Sequence, residues 1–381
     1  MGAVYSHACR RRHPQPAGPH RLGCVRGRLP PVEGGPGLFA QVHYPADDAA
    51  PHLSADKCDW FRREAIASIA TNYGLSPALF RALLGGRPPL DPPSAPMRPE
   101  GPGWPVIVFS HGIWGCCEMY TQFCRELASL GAIVVALEHE DGSAIIANDA
   151  ATGEPIPYER PPADVGTAKF RQPFLERRSA EMRSATAAIV AAADGRDDAE
   201  VPAVSRVLAT GDAGRLLLVG HSFGSSSVVR YLGSSGAPCP YRGAIVLDLW
   251  PEALLERDFQ QELPVPFAFV MCEDWSRWYP GCCRKLIASG AGRHRGAVAI
   301  RGAKHQWIAE SNYFAPTPLL RRMGLVGDGD PERVHEATRR VMRLFVKDML
   351  GPLAASAPAA SETPLAEALR QCDREIVADF L

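Results

Sequence analysis

The most constraining feature of the sequence is a serine flanked by glycines at residues 220–224, directly after an apolar run. Residues 216–219 are continuously apolar, as expected for a strand buried on both faces of a parallel sheet. The run Gly-His-Ser-Phe-Gly follows, and residues 225–232 have helical character. Small residues on both sides of Ser222 let strand and helix approach closely around a strained turn. The pattern predicts a turn that projects the Ser222 hydroxyl above the sheet.

A serine at such a turn is typical of the nucleophile elbow of the α/β-hydrolases. We therefore predict an α/β-hydrolase fold, with a mostly parallel central sheet and helices on both faces, and Ser222 as the nucleophile. The alternative is that Ser222 only caps a helix. Residues 37–44 alternate as in a strand, and further short runs typical of strands lie at residues 106–109, 132–137, 243–247, 266–271 and 296–300.

A serine nucleophile requires a histidine base and an acid that fixes the tautomer of the histidine. In α/β-hydrolases these residues follow the serine in the order acid, then histidine. His305 comes after the last strand, at the carboxyl edge of the sheet, whereas His294 precedes that strand. Asp248 directly follows a strand, and Asp274 lies two residues into a later loop. We predict His305 as the base and favour Asp248 as the acid, with Asp274 as the alternative.

A His-Gly-x-x-Gly loop at residues 111–115 directly follows the strand at 106–109. A tetrahedral oxyanion needs two preorganised backbone N–H donors. The expected pair is Ile113, in this loop, and Phe223, immediately after the nucleophile. His111 is interpreted as shaping the loop, although a histidine here could also be read as a base.

The composition is that of a soluble globular protein and excludes several classes of function. The net charge of −1 gives no global field for nucleic acid. The 11 cysteines are odd in number and include no Cys-x-x-Cys pair, which argues against a disulfide framework or structural zinc and favours a reducing compartment. We find no metal or nucleotide motif and predict no cofactor, and the sequence leaves the oligomeric state open.

The N-terminus fits an N-myristoylation pattern, with Gly2 as the acylated residue and Ser6 at the required position. One acyl chain binds membranes weakly, so an arginine cluster or acylation of Cys9 would supply a second signal. The alternatives are a disordered tail and an organellar transit segment. We predict a cytoplasmic protein that associates peripherally with membranes.

Three regions are predicted along the chain. Residues 1–36 form a flexible basic segment, residues 37–352 the catalytic domain, and residues 353–381 a linker and a short helix. The first region contains no acid before Glu33, and the last begins with an Ala/Pro/Ser-rich stretch.

Together these motifs resemble the platelet-activating factor acetylhydrolases of the A2-type phospholipase class, in particular their intracellular members. The resemblance extends from about residue 37 to about residue 350. It is carried by Phe-Ser-His-Gly at 109–112, Leu-Glu-His at 137–139, the elbow at 220–224, Leu-Asp-Leu-Trp at 247–250, His-Gln at 305–306 and Pro-His-x-x-Gly-Cys at 19–24. Trp114 and the pair Cys116-Cys117 depart from the family pattern.

The resemblance implies a triad of Ser222, Asp248 and His305, with oxyanion donors Ile113 and Phe223. It also implies calcium-independent hydrolysis of the sn-2 acetyl, short-chain or oxidised acyl ester of phospholipids. Aromatic residues are expected to line an apolar groove for this substrate, or else to belong to the core: Trp114, Trp250, Trp275, Trp278 and Tyr279. Two alternatives remain, a cutinase-like or general carboxylesterase with the same triad, and a hydrolase-fold binding protein without activity.

Overall fold

A computed structural model of the chain describes residues 15–32, 37–47, 49, 60–72, 74–84, 91–99, 101–193, 202–234, 239–289, 292–310, 317–322, 324, 326–351 and 377–379. The strands in these residues are β1 (Leu22–Arg28), β2 (Phe39–Pro45), β3 (Trp104–Ser110), β4 (Ile133–Leu137), β5 (Gly211–His221), β6 (Tyr241–Leu247), β7 (Phe267–Cys272), β8 (His294–Ile300) and β9 (Val377–Asp379). The helices are α1 (Arg63–Asn72), α2 (Pro77–Leu84), α3 (Thr121–Ser129), α4 (Thr167–Ala193), α5 (Ala203–Leu208), α6 (Phe223–Ser234), α7 (Glu256–Gln260), α8 (Glu273–Trp278), α9 (Cys282–Ser289), α10 (Thr317–Arg322) and α11 (Pro331–Leu350).

The strands form one sheet in the order β1-β2-β4-β3-β5-β6-β7-β8-β9. The six strands from β4 to β8 in this order are parallel, and β1, β2 and β9 pair antiparallel with their neighbours. Val108 lies at the centre, paired with Val135 and Leu218. Central strands are apolar along their length because helices cover both faces of a parallel sheet. The predicted α/β-hydrolase fold is confirmed.

Two groups of helices flank the sheet. Helix α4 packs on α6, and α11 packs on α3 and on strands β5 to β8. Asp330 caps the start of α11, and its side chain accepts a hydrogen bond from the Arg333 N–H at 3.0 Å. Every loop that follows a parallel strand leaves at the same edge, so the ends of β3, β5, β6 and β8 meet there.

The predicted boundaries of the catalytic domain are wrong at its start. Residues 22–28 form β1, which pairs with β2 along its whole length, so this part of the predicted flexible segment belongs to the sheet. The strand was missed because the glycines and arginines at residues 23 and 26–28 interrupt the apolar alternation of an edge strand. At the other end, residues 377–379 form β9 and not part of the predicted helix.

The predictions for the N-terminal tail lie outside the described residues. They concern Gly2, Ser6, Cys9 and the first arginines, and they stay predictions. Within the part of the chain that the structure describes, no helix combines the length and apolarity needed to cross a membrane.

Candidate active site

Ser222 occupies a sharp turn between β5 and α6. Its backbone is left-handed, with φ of 56°, a conformation that costs energy in a residue with a side chain. Space around the turn exists only because two neighbours are glycines. A Cβ on Gly220 would lie 2.4 Å from the Gly224 carbonyl oxygen, and one on Gly224 would lie 2.1 Å from the Ser110 oxygen. The strand, turn and helix predicted from the sequence are confirmed.

Ser222, His305 and Asp248 are joined by a continuous chain of hydrogen bonds. The His305 Nε2 lies 2.9 Å from the Ser222 Oγ, and its Nδ1 lies 3.0 Å from the Asp248 Oδ2. With the Nδ1 proton donated to the carboxylate, Nε2 is left to accept the serine proton. The three residues come from the ends of β5, β6 and β8, as their positions in the sequence predicted.

Asp248 is fully buried and held on both of its oxygens. It follows β6 directly, with φ of 46°, and its other oxygen, Oδ1, accepts the Cys272 N–H at 2.5 Å. A buried carboxylate with a donor on each oxygen is fixed in direction. Its contact with His305 therefore fixes the tautomer of the ring.

The imidazole of His305 is also held from the side, by Trp275. The two rings stack at 3.6 Å with an interplanar angle of 10°. The indole Nε1 donates to the Leu249 carbonyl at 2.7 Å, which ties Trp275 to the loop after Asp248. Stacking on Trp275 and the bond to Asp248 therefore fix the orientation of the His305 ring.

Neither the alternative acid nor the alternative histidine is part of this chain of hydrogen bonds. Asp274 is in the first turn of α8, where its Oδ1 accepts the Trp275 N–H at 2.8 Å. Burial, and then repulsion from Asp248, raise the pKa of Asp274. His294 begins β8, at the opposite edge of the sheet from Ser222. The carboxylate bonded to the Nδ1 of His305 is that of Asp248.

Ile113 and Phe223 stand where the oxyanion donors were predicted. Ile113 lines the cavity above Ser222, and Phe223 opens α6 immediately after it. Among the described residues, neither backbone N–H has a hydrogen-bond partner. Gly112 lets the loop lie against the serine, because a Cβ there would be 3.1 Å from the Ser222 Cβ. The two amides are therefore available to a substrate oxygen.

A buried tyrosine and histidine connect the 111–115 loop to the base, and sequence reasoning missed the connection. Tyr120 Oη accepts the Gly112 N–H at 2.9 Å and lies 3.0 Å from the His221 Nδ1. The Tyr120 hydroxyl therefore bridges the loop and the His221 ring. The ring of His221 lies 4.6 Å from that of His305. Burial, followed by repulsion from His305, holds the pKa of His221 well below its usual value, so it is neutral.

Arg178 also supports the 111–115 loop. Its side chain is fully buried, and its Nη1 donates to the His111 carbonyl at 2.6 Å. It also bonds to the Asp141 carboxylate at 3.0 Å and the Ser143 hydroxyl at 2.6 Å, and the Ser143 carbonyl accepts the Trp114 N–H at 2.9 Å. Arg178 therefore joins α4 to the 111–115 loop and to the loop that contains Asp141 and Ser143.

His111 shapes the loop, as predicted. Its Nε2 accepts the His139 N–H at 3.1 Å, so its Nδ1 carries the proton and donates to the Gly112 carbonyl at 2.7 Å. Burial, and then the charge of Arg178, hold the pKa of His111 well below its usual value. Both ring nitrogens are therefore engaged by backbone groups, one of Gly112 and one of His139.

A cavity of about 620 Å³ opens above the serine. This volume is typical of small-molecule sites. Three of the five predicted aromatic residues line it: Trp114, Trp250 and Trp275. Tyr279 is not among its lining residues, and Trp278 is 64% exposed on α8.

One group of potential metal ligands occurs among the described residues, and it overlaps the site. His221, Asp248 and His305 offer ligand atoms within 4.8 Å of one another. The hydrogen bonds given above already engage both nitrogens of His305 and the Nδ1 of His221. The arrangement suits proton transfer from Ser222.

The sheet order and the Ser222 turn define the chain as an α/β-hydrolase. A family model described as "Platelet-activating factor acetylhydrolase, isoform II" matches residues 5–354. The chain belongs to this family, and the resemblance noted in the sequence is confirmed.

Individual relatives agree with the family. A platelet-activating factor acetylhydrolase of Gallus gallus is 23% identical over 360 residues, which are 89% of this chain and 84% of the relative. The protein of that name from Canis lupus familiaris is 27% identical over 273 residues, 68% of this chain and 60% of the relative. A ferulic acid esterase from Streptomyces cinnamoneus has a similar structure, with a TM-score of 0.60 and 15% identity, over 93% of this chain and 98% of its own. At that identity the likeness shows the fold.

Proposed function

We propose that the chain is a calcium-independent serine esterase that hydrolyses the sn-2 ester of phospholipids with an acetyl, short or oxidised acyl chain. Platelet-activating factor is the simplest such substrate. The observation that carries the proposal is the hydrogen-bond chain from Ser222 through His305 to Asp248. Membership of the family and the names of the relatives support the substrate class.

The first half of the reaction forms an acyl-enzyme. His305 Nε2 takes the proton of Ser222 as the hydroxyl oxygen attacks the ester carbonyl. The Ile113 and Phe223 amides donate to the developing oxyanion, and Asp248 stabilises the imidazolium. The tetrahedral intermediate collapses, His305 returns the proton to the leaving oxygen, and the lysophospholipid departs.

The second half releases the acyl group. Water enters, loses a proton to His305 and attacks the acyl carbonyl on Ser222, and a second tetrahedral intermediate expels the serine. Base, acid and oxyanion donors all come from the chain, so the mechanism requires no calcium ion. The fixed plane of His305 between Asp248 and Trp275 suits it to both steps.

The aromatic lining fits the acyl and alkyl parts of such a substrate. Trp275 stacks on the base, and the Trp250 ring lies edge-on to that of Phe223 at 5.7 Å. Trp114 and Met119 add apolar lining near the oxyanion loop, residues 111–115. Apolar surface of this kind binds lipid chains without directional demands. A short acyl chain is expected because the cavity must also hold the glycerol and part of the head group.

A comparison of substrates tests the proposal. The purified protein, with a chelator present, is assayed on phosphatidylcholines with sn-2 acetyl, oxidised short-chain and long-chain acyl groups, and on p-nitrophenyl butyrate. We expect acetyl and oxidised chains to be hydrolysed with kcat/KM at least about 100-fold above the long chain, since unfavourable packing of extra methylenes accumulates. Hydrolysis of the soluble ester alone would instead identify a cutinase-like or general carboxylesterase.

A further inference from the structure

The cavity above Ser222 carries one permanent charge. Among the described residues that line it there is no carboxylate, and its histidines are the base His305 and the neutral His221. Arg160 is the remaining ionisable group apart from the Tyr120 and Tyr158 hydroxyls, and a guanidinium is always charged. A mixed aromatic cavity with a single fixed cation is suited to a ligand with one anionic group.

Arg160 is held beside the oxyanion loop. Its guanidinium carbon lies 5.3 Å from the centroid of the Trp114 ring, within the range of a cation–π contact. Trp114 directly follows Ile113 and is fixed in a left-handed conformation, with φ of 59°. The Arg160 guanidinium therefore lies next to the loop in which the Ile113 N–H is proposed to bind the ester oxygen.

The segment that carries Arg160 is anchored on α4. The Glu159 N–H donates to the Gly142 carbonyl at 2.8 Å. Arg171, which is almost fully buried, donates from Nη2 to the Tyr158 hydroxyl at 3.1 Å and to the Glu159 carbonyl at 3.2 Å. The Tyr158 ring in turn lies 5.4 Å from that of Trp114. These contacts within the protein fix the rim of the cavity without a contribution from substrate.

Resting on the proposed function, we propose that Arg160 binds the phosphodiester of the substrate head group and thereby distinguishes phospholipids from neutral esters. The phosphate is separated from the sn-2 ester by only a few bonds of the glycerol, so it reaches the rim when the ester lies on Ser222. A guanidinium matches phosphate oxygens with two parallel N–H donors. Arg160 forms no ion pair with another described residue, so its donors are not committed to a carboxylate.

Two acetyl esters that differ only in the head group test this. One is 1-O-alkyl-2-acetylglycerophosphocholine, and the other is 1-O-alkyl-2-acetylglycerol, both in the same neutral-detergent micelles. For Arg160→Gln we expect kcat/KM on the phospholipid to fall about 10- to 100-fold, the loss of a charge-assisted hydrogen bond, and activity on the acetylglycerol to be unchanged. Arg160→Lys should show a smaller loss. Arg340→Gln, an exposed arginine on α11 that does not line the cavity, should match the wild type.

Three results would overturn the assignment. Arg160→Gln could leave the phospholipid rate unchanged, or it could lower both substrates equally, which would indicate a structural role. A third substrate, 1-O-alkyl-2-glutaroylglycerol, carries its anion on the acyl chain. Loss on this ester with no loss on the phospholipid would show that Arg160 binds an acyl carboxylate. If the wild type hydrolyses neither acetyl ester, the proposed function itself fails, whereas an unaffected Arg160→Gln variant removes only the phosphate site.

Discussion

Two aspartates near His305 have different surroundings, and the difference decides which can act with it. Asp248 is buried at the end of β6 and bonds directly to the His305 Nδ1 at 3.0 Å. Asp274 accepts the Trp275 N–H within the first turn of α8, and burial raises its pKa. A carboxylate that must stabilise an imidazolium has to contact it and stay ionised.

Asp248→Asn should therefore lower kcat by about 10⁴-fold, because an amide in this position favours the wrong tautomer of His305. Asp274→Asn, the matched change on the neighbouring carboxyl, should lower it less than about 10-fold. Steady-state kinetics on an acetyl phospholipid measure both, with circular dichroism to show that each variant is folded. The assignment is reversed if the Asp274 variant shows the larger loss.

The sequence located the three triad members because Ser222 and Asp248 directly follow strands and His305 lies in the loop after one. That rule rests on sheet topology, which brings the ends of parallel strands to one edge. The rule does not predict which side chains connect the ends of these strands. Tyr120 joins Gly112 to His221 across the site, and its role depends on a contact between residues 101 positions apart. Nothing in the local pattern around Tyr120 distinguishes it from an ordinary core tyrosine.

At the scale of elements, α4 supports the oxyanion loop through one buried arginine. Arg178 is fully buried, whereas the adjacent Arg177 is 54% exposed and pairs with Glu181 at 3.4 Å. The sequence did contain a signal for this difference. Phe174, Arg178 and Met182 recur at helical spacing, which puts the arginine on the buried face of α4. A charged residue there has to be paired, and its partner, Asp141, lies in a loop that the sequence left unassigned.

Arg178→Met should lower the free energy of unfolding by about 3–5 kcal/mol, since Asp141 is left buried without its partner. Arg177→Met, one position away on the same helix, should change it by less than about 1 kcal/mol because its ion pair is largely solvated. Urea titrations measure both. Asp141→Asn combined with Arg178→Met should recover part of the loss, because the buried charge is removed as well. Equal effects of the two single changes would contradict the role of Arg178.

Across the whole molecule, buried neutral histidines link stability to pH. His43 in β2 is fully buried, and its Nε2 lies 2.9 Å from the Gln41 Nε2. Burial is the main reason that the pKa of His43 is lowered to about 3. The charge of Asp91 opposes this shift, and the charges of Arg125 and Arg26 add to it. Between pH 7 and pH 5 the unfolded chain gains a proton on this residue and the folded chain does not. Stability is therefore lost as the pH falls through about 6.5.

His43→Gln should remove about 2 kcal/mol of the loss of stability between pH 7 and pH 5, the part that one histidine contributes over that range. Denaturant titrations of both proteins at the two pH values give the difference directly. If His43→Gln loses as much stability between pH 7 and pH 5 as the wild type does, His43 is protonated in the folded state as well.

The extent of the sheet was the least predictable part of the whole fold. The central strands are continuous apolar runs and were all anticipated. Strand β1 was not, since arginines at residues 26 and 28 form part of it. Both make tertiary contacts, Arg26 with Gln41 at 2.7 Å and Arg28 with Glu140 at 2.7 Å. An arginine-rich run without acids looks like a tail unless its partners, distant in sequence, are known.

The central claim is that Ser222 carries the acyl group of a phospholipid during hydrolysis. The most direct measurement is rapid quenching of the wild-type protein and of Ser222→Ala after mixing with 1-O-alkyl-2-acetylglycerophosphocholine, followed by peptide mass spectrometry. We expect an acetyl group on the peptide that contains Ser222 in the wild type, and no acetyl-enzyme and at least about 10⁴-fold slower turnover in the variant. Acetylation of a different residue, or turnover by a folded Ser222→Ala protein at the wild-type rate, would contradict it.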